Sequence, residues 1–243
     1  MLFILQEEKM HILFYNETLW LLSMLINFLL ILLAYRLWGK TGLFIFIPIS
    51  TILANVQVIK QVDLFGFHGT MGDILYCGIF LVSDILSENY GKKMARNTIY
   101  IGFFSLISTT VIMLLSLKIH PNSYDTSQSS LEFIFGFLPR ITVASLTAFL
   151  ISQTYDVWAY QFWREKFPEF KHIWIRNNFS TLASQFIDGI IFTVIAFYGV
   201  FEVSYMIKIF ITSYILKTIV SIFDTPFVYA AALLKTKNKV KEI

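Results

Sequence analysis

The chain has 243 residues, of which 56% are hydrophobic and 17% aromatic while only 14% are charged, against roughly a quarter in ordinary globular proteins. With a mean hydropathy of +0.67, this excludes an ordinary water-soluble domain and points to a polytopic membrane protein. The net charge of +3 is a topology signal rather than a nucleic-acid one, and Cys77 as the sole cysteine excludes an intramolecular disulfide and a cysteine-based metal cluster.

A spanning helix needs about 20 mostly apolar residues. The sequence predicts seven, at Thr18 to Leu37, Gly42 to Ile59, Gly72 to Glu88, Asn97 to Leu117, Pro139 to Phe162, Phe179 to Tyr198 and Tyr205 to Leu234. The expected fold is all-α, a polytopic membrane helix bundle with a six-helix core plus an N-terminal helix. Residues 1–41 form the N-terminal segment, 42–234 the membrane transporter domain and 235–243 a basic cytoplasmic tail. Glu7 and Glu8 precede the first apolar run and Arg36 and Lys40 follow it, so it reads as a retained helix and not as a cleaved signal. The third span is short and carries acids, and the seventh is long and contains Pro226; short or interrupted spans are where transporters build sites. Between the fourth and fifth spans, His120 to Ser130 reads as an exposed external loop. Leu131 to Leu138 reads as an interfacial segment or a re-entrant turn before Pro139.

Loop charges supply an independent check on the count, because cytoplasmic loops collect Lys and Arg. Arg36 and Lys40 follow the first span, and Lys92, Lys93 and Arg96 follow the third. Arg164, Lys166, Lys171 and Arg176 follow the fifth, and Lys235, Lys237, Lys239 and Lys241 follow the seventh. The other side holds Lys9, Lys60 and Lys118. The expected topology puts the N-terminus outside and the C-terminus inside a bacterial inner membrane.

Seven ionisable residues lie within or at the ends of these spans: Asp84, Glu88, Arg140, Asp156, Asp188, Lys217 and Asp224. A charge at the bilayer centre costs roughly 2.5 to 3.5 kcal/mol, so such residues face a cavity or one another. Helical spacing gathers them. Asp84 and Glu88 share a face, as do Gln153 and Asp156; Thr181, Ser184, Gln185 and Asp188 form one stripe, and Lys217, Ser221 and Asp224 another. Asn55 lies near one end of the second span. Paired structurally, Arg140 and Lys217 would each hold a carboxylate, leaving about three of the five acids in want of a cation, a donor-rich ligand or a proton. Thr181 and Ser184 read as packing residues. The Arg176, Asn177, Asn178 run before the sixth span reads either as a cap or as part of a binding site.

An enzyme is not expected, since no HExxH, GxSxG, phosphate-binding loop or Cys/His couple is present. His11, His68, His120 and His172 show no metal spacing, and no cofactor is expected. Three readings remain at this point: a self-sufficient carrier, a substrate-binding subunit on a separate energy-coupling module, and a membrane scaffold.

Six segments in order carry a family resemblance: ANVQVIK from Ala54, FGFHGTMGD from Phe65, LVSDILSENYGKKMAR from Leu81, PRITVASLTAFLISQTYDVWAYQFWR from Pro139, IRNNFSTLASQFID from Ile175 and YILKTIVSIFDTPFVY from Tyr214. The chain from its second span onward resembles the queuosine precursor transporter family, the YhhQ-like group of vitamin-uptake-type transporters. The first span falls outside the match. The resemblance implies import of a 7-deazaguanine (7-cyano-7-deazaguanine, 7-aminomethyl-7-deazaguanine or queuine) for tRNA modification. The implied partners are this small deazapurine and the lipid bilayer, with a homo-oligomer or energy-coupling module left open and no nucleic acid bound. A guanine-like edge offers an N1 hydrogen and a 2-amino group that one carboxylate accepts together; the aminomethyl base and queuine add a cationic amine. The implied substrate-binding residues are Asp84 or Glu88 with Asp156 and Asp188 on the acid side, and Asn55, Arg140, Gln153, Asn178, Gln185 and Lys217 as polar partners, with Tyr155, Trp158 or Phe186 available to stack.

Overall fold

The computed structural model describes residues 2–136 and 139–242, and of these the side chains of all but 2–14, 61, 67–69 and 139. The side chains of Glu7, Glu8, Lys9, His11 and His68 lie outside that set, and the last two residues of the Leu131 to Leu138 segment lie outside the described residues.

Helix α1 (Leu2–Gln57) is broken at Gly39, whose φ of 58° and ψ of −137° leave the helical region. Only a residue without Cβ reaches that conformation at low cost. The break divides α1 into two arms that correspond to the first two expected spans. A two-stranded antiparallel hairpin follows, β1 (Gln61–Leu64) against β2 (Phe67–Thr70), in register Gln61↔Thr70 through Leu64↔Phe67. Its two-residue turn, Phe65 and Gly66, has φ of 52° and 80°, the double-positive geometry whose twist matches that of the strands. The Phe65 N–H donates to Glu17 Oε1 at 2.8 Å, which ties the hairpin to the first arm. The helical expectation did not include this hairpin.

Helices α2 (Gly72–Tyr90) and α3 (Lys92–Leu117) meet at Gly91. In the polar segment that follows, Asp125 accepts the Ser127 hydroxyl and N–H at 2.7 and 2.6 Å, and these bonds hold its exposed carboxyl below the usual range. A short α4 (Gln128–Leu131) runs into a π-helical turn at Glu132–Gly136, then α5 (Pro139–Lys166). A 3₁₀ turn at Phe170–His172 leads into α6 (Ile173–Phe197), and α7 (Val203–Thr236) carries Pro226 inside it. Pro226 has no N–H for the Ile222 carbonyl one turn back. Within α1, α3, α6 and α7 the helices are long and apolar enough to cross a membrane, and α5 joins them if Gln128–Gly136 is counted as its bent first part. The result is an all-α bundle, apart from the small hairpin, built to sit in lipid.

The first arm of α1 is part of the core. Trp20, Phe28, Ile31 and Tyr35 are buried against Cys77, Leu81 and Ile85 of α2 and Val220 and Val228 of α7. Leu29, Leu33, Phe104, Ile112 and Phe223 point outward, as expected where the solvent is hydrocarbon and close packing, not apolar burial, holds helices together. The basic segments converge at one end of the bundle. The Lys241 N–H donates to the Arg36 carbonyl at 3.0 Å, Glu242 accepts from Lys235 Nζ at 2.5 Å and from the Tyr90 hydroxyl, and Arg164 donates to the Ser87 carbonyl. Arg176, counted from sequence among the loop charges, is instead a residue of α6 and only 1% exposed.

Candidate functional site

One stripe of α6 is the spine of the buried polar interior. Asn177, Thr181, Ser184 and Asp188 recur at offsets of four, three and four, so they stack on one side of the helix. They span about 16 Å along its axis at 1.5 Å per residue, roughly half a bilayer core. Each meets a different helix. Asn177 Nδ2 donates to Asp224 Oδ1 of α7 at 2.8 Å. The Thr181 hydroxyl donates to Asp84 Oδ2 of α2 at 3.1 Å, and the Ser184 hydroxyl donates to Asp156 Oδ1 of α5 at 3.0 Å. Asp188 accepts from three helices at once: the Tyr76 hydroxyl at 2.5 Å, the Ser152 hydroxyl at 3.2 Å and Lys217 Nζ at 3.0 Å. Thr181 and Ser184, expected as packing residues, are thus donors to carboxylates.

The charges sort into three groups along this spine. At the basic end, Arg176 Nε and NH2 take both oxygens of Glu88 at 2.8 and 2.6 Å, and the Tyr160 hydroxyl adds a third bond at 3.0 Å. Arg176 also donates to the Phe167 and Glu169 carbonyls. Such a forked, fully satisfied pair is a structural clamp. Toward the other end, Lys217 is held by Asp188 and lies over the Tyr76 ring, 4.7 Å from its centroid. Cys77 is buried there, accepting from Gln185 Nε2 at 3.5 Å and donating to the Lys217 carbonyl at 3.9 Å.

Between these pairs lie Asp84, Asp156 and Asp224, all 0% exposed. One face of α6 holds all three, through Thr181 on Asp84, Ser184 on Asp156 and Asn177 on Asp224. Among the described residues none of the three is in an ion pair. Sequence counting left about three acids without a cation, and these are three such carboxylates. Around them Asp84 Oδ1, Asp224 Oδ2, Asn177 Oδ1, Gln185 Oε1 and both terminal atoms of Gln153 have no hydrogen-bond partner. Unpaired buried polar atoms cost about 1 to 3 kcal/mol each, so a concentration of them marks a place that a ligand can complete.

The remaining expected residues are spread around this centre. Asn178 donates to Thr225 Oγ1 at 2.7 Å and to its own helix at Trp174; with Arg176 and Asn177 it lies inside α6, which starts at Ile173, so the run is not a cap. Asn55 stands apart, donating to the Thr51 carbonyl and lining a small cleft with Ile52, Leu106 and Thr142. Arg140 is exposed and donates to the Ile195 and Tyr198 carbonyls at 2.8 and 2.5 Å, completing the C-terminus of α6. Trp158 and Phe186 face outward, and Tyr155 packs on Trp158. Asp73, Tyr76, Asn177 and Asp224 join the polar interior although sequence reasoning did not place them in the site. The Asp84 and Glu88 face, continued back along α2 in steps of three and four, reaches Cys77, Tyr76 and Asp73, and that extension was the available signal.

A family model described as "Putative vitamin uptake transporter" matches residues 70–231. A "Probable queuosine precursor transporter" of Bacillus subtilis (strain 168) is 43% identical over 217 residues, covering 89% of this chain and 95% of the relative. A protein of the same name from Haemophilus influenzae (strain ATCC 51907 / DSM 11121 / KW20 / Rd) is 26% identical over 161 residues, covering 66% of this chain and 65% of that one. No solved structure matches. With its multi-helical apolar bundle and its buried polar spine, the chain belongs to the queuosine precursor transporter family, whose members are transporters and not enzymes.

Proposed function

We propose that the protein imports a 7-deazaguanine queuosine precursor across the bacterial inner membrane for tRNA modification, as a seven-span carrier with its N-terminus outside and its basic end in the cytoplasm. The observation that carries this reading is the set of unpaired carboxylates and amides enclosed by α2, α5, α6 and α7. A guanine-type edge presents two adjacent N–H donors and one carbonyl acceptor, which one carboxylate and one amide nitrogen satisfy. The Asp84 or the Asp224 carboxylate accepts the N–H pair through its two oxygens, and Gln153 Nε2 donates to the carbonyl. Glu88 with Arg176, and Asp188 with Lys217, position the helices around the ligand.

The test is uptake in cells that lack both deazaguanine synthesis and their own transporter. Labelled 7-cyano-7-deazaguanine, 7-aminomethyl-7-deazaguanine and queuine are supplied in turn, and queuosine in tRNA is measured. Restoration by at least one base is the expected result. No restoration by any of the three, with the protein verified in the membrane, overturns the reading.

A further inference from the structure

We propose that the carboxylate trio makes the buried polar interior selective by ligand charge, so that a 7-deazaguanine bearing a cationic amine is preferred over a neutral one of the same ring system. This rests on the transport reading above and adds to it a rule for which precursor is taken.

Charges and donors are unequally matched in this interior. Both buried cations are committed, Lys217 to Asp188 and Arg176 to Glu88. Asp84, Asp156 and Asp224 are gathered along one face of α6 by Thr181, Ser184 and Asn177, and among the described residues none of them is in an ion pair. Their existing donors are neutral: Thr181 on Asp84, Ser83 and Ser184 on Asp156, and Asn177 on Asp224. A heterocyclic N–H pair satisfies one carboxylate in bidentate fashion. Two carboxylates remain. A nitrile substituent brings only a further lone pair into a space already lined by acceptors. An ammonium brings a positive charge and three N–H donors, and a charge leaving water is tolerated in the interior where opposite charge and hydrogen bonds receive it. Among the described residues no group of three or more His, Cys, Asp or Glu is arranged to hold a metal ion. Gln153, 0% exposed with both terminal atoms unpartnered and three residues from Asp156 on α5, supplies the neutral contact to the ring carbonyl, so that two carboxylates stay free for the amine.

The experiment compares initial uptake rates of labelled 7-aminomethyl-7-deazaguanine and 7-cyano-7-deazaguanine at equal concentration in the cells described above, with thermal-shift measurements on the detergent-purified full chain. The N-acetylated aminomethyl base serves as a neutral control of similar shape. The expected preference for the amine over the nitrile is on the order of tenfold, the scale of one charge-assisted hydrogen bond, and acetylation removes it. Of Asp84→Asn, Asp156→Asn and Asp224→Asn, the two that remove a carboxylate receiving the amine lower the ratio toward one, whereas removal of the one that holds the ring N–H pair slows all bases alike. A wild-type ratio of one or below overturns the selectivity while leaving transport intact. An unchanged ratio in two or more of these variants, with the protein verified in the membrane, also overturns it, since only one carboxylate holds the ring and the preference then arises elsewhere. Absence of uptake and of thermal shift for every base overturns the transport reading itself.

Discussion

Asp84 and Glu88 lie one turn apart on α2, yet only Glu88 has a cation. Glu88 is gripped by both arms of the Arg176 guanidinium, whereas Asp84 has one hydroxyl donor and one bare oxygen. Breaking a buried pair from one side costs about 3 to 5 kcal/mol. Arg176→Leu alone is therefore expected to lower the melting temperature in detergent and the membrane abundance, and Glu88→Leu together with Arg176→Leu to recover much of both. Asp84→Asn keeps its shape and its Thr181 bond; it is expected to retain abundance and to lose uptake by at least about tenfold, the effect of one charge-assisted bond. Asp188→Asn leaves Lys217 without its carboxylate and is expected to lower both. Sequence spacing placed Asp84, Asp156, Gln185 and Asp188 on facing stripes because offsets of three and four fix a helix face whatever the tertiary context. It could not pair Glu88 with Arg176 rather than with Arg140 or Lys217. That choice depends on α6 beginning at Ile173, which lifts Arg176 out of the loop and into the bundle.

At the level of elements, the break in α1 is the most constrained. Gly39 combines a positive φ with a position where an added Cβ would collide with the Glu242 side chain. Gly39→Ala is expected to loosen both the turn and the docked tail, read as a lower melting temperature and faster amide exchange across residues 36–42 and 237–242. The seven expected spans fall on helices to within two residues at their ends. Four of the helices, or five with the bent pair Gln128–Gly136 and Arg140–Lys166, are long and apolar enough to cross a membrane, where long apolar runs have no other way to satisfy their backbone. The hairpin was not legible: strands of four residues give too little alternation for a period-two pattern, and Phe-Gly is not one of the usual two-residue turn pairs. Helix ends were also misjudged, because polar residues such as Asn177 and Asn178 look like loop chemistry until Asp224 and Thr225 are seen to receive them.

Taken as a whole molecule, the bundle gathers its basic segments at one end, so orientation is open to a direct test. A fluorescent protein fused after the tail is expected to fluoresce, as it does in the cytoplasm, and a periplasm-dependent reporter at the same point to stay silent. The tail itself is docked. Burial alone would raise the Glu242 carboxyl, but bonds from Lys235 and Tyr90 outweigh it and hold the group below its ordinary range. A depressed carboxyl stabilises the docked form above the unfolded value of about 4.3 and loses that contribution as pH falls through the lower folded value. Exchange of the 237–242 amides, corrected for its intrinsic pH dependence, should accordingly be slow at neutral pH and rise in strong acid, and Glu242→Gln should be fast at both. Cys77, the sole thiol in the chain and fully buried between Gln185 and Lys217, turns the unmodified protein into its own recorder of the transport cycle. Its modification by a small alkylating reagent is expected to be slow in the closed bundle, to track opening of the helices during uptake, and to slow further with substrate bound; the rate of labelling with and without substrate checks this.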